Sequence, residues 1–491
     1  MPEAFCGIDV GTQGARCMIV RGDGSVVARG ECPFAERPAP LPKGWSEQEP
    51  GSWTTAVTNA LRQALSGLNR EPPFADRVAA LSVTSTSGTL CVLDADCRPL
   101  VPAIMYNDAR SSGVASEVQD AAKDLTLKLG YRFGSSFALP KVLWLKRKRP
   151  DVYGRAALLT SATDYIIGWL TGNYRRSDQT NVLKFGYDLM EDRWPDFIEE
   201  TLGISRALLP VVEKPGTLAG HVAAGRAREL GLPPHTPVAA GMTDGCASQV
   251  AAGAVSPGQY NTTIGTTMVI KGVSRRLLLD PMGRIYCHRH PEGWWLPGGA
   301  SNTGAECLAA EFGPGETEAR SAAALAHSPT HLVAYPLVGK GERFPFLSPD
   351  AERFIIGSPQ DRDELFAAYL EGVACLERLA YETLEELGAQ VGDTIVSAGG
   401  GSRSDAWLQM RADILNRTVQ RPAVADAAMG AAILAACLEE YGSLSDAARV
   451  MVRIEREVRP RRERVADYAD KYARFVEECV SRGYLPRARP A

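Results

Sequence analysis

The residue with the most chemical consequence is a carboxylate at a strand-to-helix junction. Residues 238–272 read VAAGMTDGCASQVAAGAVSPGQYNTTIGTTMVIKG: an apolar run, then Asp244, then a small-residue segment of helical character from Cys246 to Ala254. After the turn Ser256-Pro257-Gly258, two β-rich runs flank Gly265-Thr266-Thr267. An acid so placed can take a proton from a hydroxyl, and the N–H groups of a Gly/Thr hairpin can hold phosphate oxygens. Together they suit the movement of a phosphoryl group. The same residues also make a plain helix cap and a plain hairpin, so the rest of the chain has to decide.

A second hairpin of the same kind opens the chain. Residues 5–30 read FCGIDVGTQGARCMIVRGDGSVVARG, with two β-rich runs around Gly11-Thr12-Gln13-Gly14 and a third after the Asp23-Gly24 turn. It is no Walker loop, since Gly-Lys-Ser/Thr is missing, and no dinucleotide fingerprint, since no GxGxxG opens a helix. Like residues 262–267, it runs β, Gly-Thr, β. The two lie about half the chain apart, which predicts a duplicated architecture whose two loops grip one nucleotide from both sides with N–H groups and Thr hydroxyls.

Other polar clusters suit a polyhydroxylated ligand. Trp45 sits beside Glu47 and Gln48, a ring for C–H faces with groups for hydroxyls; packing of a loop Trp on its own helix explains it equally well. Thr84-Ser85-Thr86-Ser87-Gly88-Thr89 is a hydroxyl-dense turn between apolar strands, and residues 102–110 end a strand with Asn107, Asp108 and Arg110. The last three could read adjacent sugar hydroxyls, or Asn107 and Asp108 could simply start a helix. Gly399-Gly400-Gly401-Ser402 lets a flat ring or a phosphate approach backbone, or serves as a connector. The six histidines form no metal set, and no nucleophile elbow supports a Ser-His-Asp triad.

At 491 residues the chain exceeds one core and predicts at least two large domains. A formal net charge of −4 makes no case for nucleic acid or an anionic membrane as partner. The basic runs at 146–149 and 459–464 read as solvated faces. The 11 cysteines are scattered singly, mostly in apolar runs, which fits a reducing cytoplasm. No signal region and no membrane-length apolar run is present. Periodicity predicts helices over 139–145, 162–170, 221–230, 363–387, 429–437 and 462–483, and a strand over 394–398.

Taken together, the motifs resemble the FGGY carbohydrate kinases over essentially the whole chain. The resemblance rests on DVGTQGAR from Asp9 to Arg16, GW.EQ.P from Gly44 to Pro50, Asn107-Asp108-Ala109-Arg110, Asp164-Tyr165, Leu170-Thr171-Gly172, Gly241 with Asp244, Ile264-Gly265-Thr266-Thr267, Gly399 to Ser402 with Trp407, and Gly430-Ala431-Ala432. It implies an α/β fold of two actin-like (ribonuclease H-like) ATPase domains with a cleft between them, residues 1–252 and 253–491. ATP and Mg2+ would be the cofactors. Asp9 would hold the Mg2+ through water, and Asp244 would be the general base. The loops with Gly11, Thr12, Gln13, Arg16, Gly265, Thr266 and Thr267 would flank the phosphates, and Gly304, Gly400, Gly401 and Ser402 would line the adenine side.

Trp45, Ser87, Asn107 and Asp108 would join Asp244 on a small-molecule sugar. The Thr86-Ser87-Gly88-Thr89 turn replaces the Gln-x-His-Gly of xylulose kinases and is nearer the D-ribulose branch, whereas residues 44–50 and 107–110 are nearer the xylulose branch. The expected substrate is a ketopentose, D-ribulose slightly ahead of D-xylulose. L-Ribulose, glycerol and gluconate remain alternatives, as do a non-catalytic sugar or nucleotide sensor and a chaperone-type ATPase. A homodimer stays open.

Overall fold

The computed structural model describes residues 4–35, 40–67 and 78–486. The sequence also reads as a Pro-rich loop over 33–42 and a helix from Trp53 to about 68; residues 36–39 of the one and 68 of the other lie outside the described residues. The chain divides into two compact units: Met1–Ala251 with His288–Trp294 and Val424–Val452, and Ala252–Cys287 with Trp295–Ala423 and Arg453–Ala491.

In the first unit, β1 (Ala4–Val10), β2 (Gly14–Arg21) and β3 (Val26–Pro33) form an antiparallel meander, followed by α1 (Pro50–Gly67) and β4 (Val78–Ser85). Then come α2 (Ala138–Lys148), α3 (Ala162–Thr171), β5 (Leu218–His221), β6 (Pro237–Thr243) and α4 (Asp244–Ala251). The sheet order is β5-β6-β4-β1-β2-β3, with β1, β4 and β6 parallel. Every residue of β1 is buried, as expected of a parallel strand covered on both faces. The helix expected over 221–230 is shorter: His221 instead pairs with Pro237 in β5, and the helix runs Ala224–Leu230. Short apolar runs do not separate strand from helix by periodicity.

The second unit repeats the plan. β7 (Tyr260–Ile264), β8 (Met268–Gly272), β9 (Ile285–Arg289) and β10 (Trp295–Ala300) precede α5 (Glu306–Ala323) and α6 (Arg362–Glu386). β11 (Thr394–Ala398), α7 (Asp405–Leu415) and β12 (Thr418–Pro422) follow. The chain then makes α8 (Ala427–Ala436), which belongs to the first unit, and ends with β13 (Ile454–Val458) and a helix over Arg462–Ser481. The sheet order is β9-β10-β8-β7-β11-β12-β13. Its β10-β8-β7-β11-β12 portion matches β3-β2-β1-β4-β6 in order and in strand direction. The duplication is therefore one of topology, not only of two hairpins.

All ten residues of α8 (AAMGAAILAA) are buried, and it lies against β1, β4 and α4. Small residues make that approach feasible. A β-carbon on Gly7 would fall 1.8 Å from the Ala428 carbonyl oxygen, and one on Gly430 would fall 2.0 Å from that of Ala247. This packing brings the residue before α8, Asp426, toward the end of β1.

Candidate active site

Parallel strands present ligands at their carboxyl ends, and the first unit gathers its acids there. Asp9 in β1 lies in register with Thr84 of β4, which pairs in turn with Met242 of β6; Asp244 follows directly as the first residue of α4. Asp244 Oδ1 accepts the Gly245 N–H at 2.7 Å. The residue before the acid is also pinned, since the Thr243 N–H donates to Thr180 Oγ1 at 2.9 Å. Thr180 is itself bonded to Asp178, which caps the short helix Gln179–Val182.

Asp9 is the electrostatic centre of this edge. Burial, then Asp244, push its pKa from 3.8 up to about 7; Arg16, at 3.8 Å, opposes the rise and Asp426 adds to it. Its Oδ1 is buried and has no hydrogen-bond partner among the described residues. A buried carboxylate with an orphaned oxygen, under the charges of two further acids, fits a divalent cation whose shell is completed from outside the protein. Among the described residues no group of three or more His, Cys, Asp or Glu side chains could hold a metal alone. That donor set suits Mg2+, which keeps waters and shares its shell with substrate phosphates. Asp426 was not singled out in the sequence, although its place just before a small-residue helix was the available signal.

The first hairpin is held from below. Gly11 N–H donates to Gly14 O, Phe34 N–H to Gln13 O, and Gln48 Nε2 to Thr12 O. Gln48 also accepts from Trp53 Nε1, so it supports the loop and is not available as a hydroxyl ligand as the sequence suggested. Glu47 is likewise engaged, 2.7 Å from Arg110 Nη2. Asp108, 1% exposed, accepts the Ser46 N–H and grips Arg110 through two bonds of 2.9 and 2.8 Å. Arg110 in turn lies 3.6 Å from the Trp45 ring centroid and 5.2 Å from that of Trp144. Trp45 keeps 37% of its surface exposed, and Asn107 is exposed with no side-chain hydrogen bond among the described residues.

The Ser87 turn joins the same corner through two lysines that the sequence reading passed over. Lys141 Nζ donates to the carbonyls of Gly88, Ser135 and Phe137. Burial, then neighbouring Lys184, lower its pKa to about 7, while Asp108 and Arg110 also act on it. Lys184 Nζ reaches Ser87 O at 3.4 Å, and Ser87 Oγ is buried without a partner among the described residues.

The second unit carries a separate cavity of about 840 Å³, lined by Ala305, Leu308, Gly400, Gly401, Arg403 and Trp407 among others. Its mixed apolar and glycine lining and its size suit a nucleoside. Gly399, at φ +82°, turns the chain beside Ile264, and Ser402 Oγ closes the turn onto Gly399 O at 2.7 Å. The Gly265–Thr267 hairpin is tied to the start of α5 by Ala305 N–H to Gly265 O and Glu306 N–H to Thr266 O. Glu342 organises the neighbouring turn. It accepts from Ser301 Oγ, Asn302 N–H, Thr303 Oγ1 and Tyr335 Oη at 2.6–3.0 Å.

The family model for the N-terminal domain of FGGY carbohydrate kinases matches residues 4–251, and that for their C-terminal domain matches 262–438. The chain belongs to the FGGY family of carbohydrate kinases. As an FGGY kinase it is 29% identical over 442 residues to the xylulose kinase of Escherichia coli (strain K12), covering 88% of this chain and 89% of that one. It is 28% identical over 481 residues to the xylulose kinase of Bacillus subtilis (strain 168), covering 94% of each. Among solved structures, a "xyloylose kinase" from Brucella ovis superposes with a TM-score of 0.86 at 26% identity, over 98% of this chain and 99% of the other. The enzyme is a phosphotransferase acting on a carbohydrate. Among its described residues, no helix is long and apolar enough to cross a membrane.

Proposed function

We propose that this FGGY kinase transfers the γ-phosphoryl group of ATP to the terminal hydroxyl of a ketopentose, D-ribulose or D-xylulose. The observation that carries the reading is Asp244, held at the carboxyl edge of the first sheet beside the buried Asp9. Relatives named xylulose kinase support a pentulose, while the Thr86-Ser87-Gly88-Thr89 turn keeps D-ribulose beside D-xylulose.

In this reading residues 1–252 supply the sugar site and base, and residues 253–491 the nucleotide site. Asp244 accepts the proton of the attacking hydroxyl as the oxygen bonds phosphorus, the oriented-nucleophile role that phosphoryl transfer requires. Asp9, with Asp426, would hold Mg2+ through water; the ion, when bound, neutralises phosphate charge. The backbone N–H groups around Gly11, Thr12 and Gln13, with Arg16, and those around Gly265, Thr266 and Thr267 receive phosphate oxygens. Gly304, Gly400, Gly401 and Ser402 border the adenine. On the sugar, Trp45 covers C–H faces and Asn107 and Ser87 meet its oxygens. Asp108 holds Arg110 and Ser46 at the sugar's side of the site. The free cysteines support a cytoplasmic setting.

The test is ADP release with D-ribulose, D-xylulose, L-ribulose, glycerol and gluconate. One of the two D-ketopentoses should exceed every other sugar in kcat/KM by about tenfold or more. Absence of sugar-stimulated turnover would sink the reading.

A further inference from the structure

The corner beneath Ser87 contains a buried lysine with no ion pair among the described residues. Lys184 lies in the turn Leu183–Phe185 and is 8% exposed. Among the described residues its ammonium has no carboxylate within ion-pair distance. It makes a single long hydrogen bond of 3.4 Å to Ser87 O and lies 5.5 Å from the centroid of the Phe137 ring. Neighbouring Lys141 is different, because three carbonyls satisfy it. A buried charge is normally paired, and a buried hydroxyl normally bonded; here Lys184 Nζ and Ser87 Oγ lie in the same corner, the one with no ion pair and the other with no bond.

Local geometry holds this lysine in place. Gly88 has φ +84°, and a β-carbon there would come within 2.3 Å of Ser136 O and 2.8 Å of Lys184 Cδ. The stem of Lys184 therefore occupies the space that a side chain at 88 would need. Its head is left beside the turn that follows β4, whose carboxyl end shares an edge with Asp9 and Asp244.

We infer that Lys184 Nζ and Ser87 Oγ form the subsite for the ketose head of the substrate, donating to the C2 carbonyl oxygen. This assignment rests on the pentulose reading and gives it a specificity residue. A carbonyl oxygen accepts two hydrogen bonds and donates none, which suits an ammonium with donors to spare and a hydroxyl with none engaged. The matching polyol, with a C2 hydroxyl, has to turn its own proton away and gains less. Reduction of C2 therefore costs affinity at this end of the sugar, while the transferred phosphoryl group is received at the other end.

The experiment measures KM and kcat of wild type, Lys184→Met and Ser87→Ala on the preferred ketopentose, its polyol (ribitol or xylitol) and D-ribonate. Methionine keeps the stem against Gly88 and removes the donors. Lys184→Met should raise the ketopentose KM at least tenfold, leave kcat within about threefold and ATP KM unchanged, and draw the ketose and polyol KM values together. Ser87→Ala should do the same to a smaller degree. Unchanged ketopentose KM, or equal loss on ketose and polyol, overturns the assignment, as does a larger loss on D-ribonate, which would assign the subsite to a carboxylate. If Lys184→Met does not fold by thermal melting, Lys184→Gln takes its place under the same criteria. A wild-type protein with no sugar-stimulated turnover contradicts the kinase reading instead, so the two failures are separable.

Discussion

Asp9 combines burial with two acidic neighbours, and this has a thermodynamic consequence. An acid whose folded pKa of about 7 exceeds its ordinary 3.8 carries an extra proton between those values. The folded state then binds more protons than the unfolded one, so its stability falls as pH rises from about 4 to about 7. Asp9→Asn should therefore stabilise the ligand-free protein at pH 7.5, on the order of 1–3 kcal/mol, while abolishing most turnover. Thermal melts of both proteins at pH 5 and 7.5 check this: the gap should widen at the higher pH, and a destabilised Asp9→Asn protein would contradict it. The individual acids Asp9 and Asp244 were legible in the sequence because Gly/Thr hairpins lie close by. Lys184 and Asp426 were not, since each gains its meaning from partners distant in sequence. The turn at 86–89 illustrates the limit. Its departure from Gln-x-His-Gly is visible in sequence, but the filling of the space at Gly88 by a side chain 96 positions later needs coordinates.

Among the elements, the hairpins and the helices that follow parallel strands were predictable from Gly/Thr turns and from switches of hydrophobic period. β5 was not: its four residues carry too little pattern to be separated from the helix behind them. The second hairpin depends on a close approach. A β-carbon on Gly304 would lie 2.6 Å from Thr266 O and from Thr267 Cα, both backbone atoms that cannot move aside without shifting the loop. Gly304→Ala should raise the KM for ATP about tenfold or more and leave the sugar KM within about twofold. Steady-state kinetics with each substrate varied will decide, and an unchanged ATP KM would remove Gly304 from the support of the phosphate loop.

For the whole molecule, the repeated strand order explains why one hairpin motif occurs twice, and that repetition was readable from sequence. The return of Val424–Val452 to the first unit was not, because α8 is apolar on every side and shows no amphipathic direction. A fragment ending at residue 251 lacks this fully buried helix and leaves apolar surface of β1 and α4 uncovered. It should aggregate or melt without a cooperative transition by circular dichroism, whereas a cooperative melt would show that α8 is dispensable to the first unit. The central claim, however, is that this first unit carries the base. Its most direct test is sugar-stimulated ADP release by Asp244→Asn under saturating ATP and ketopentose. The predicted result is a kcat lower by about 10²–10⁴-fold with nucleotide affinity retained; turnover within a few fold of wild type would contradict the assignment of Asp244.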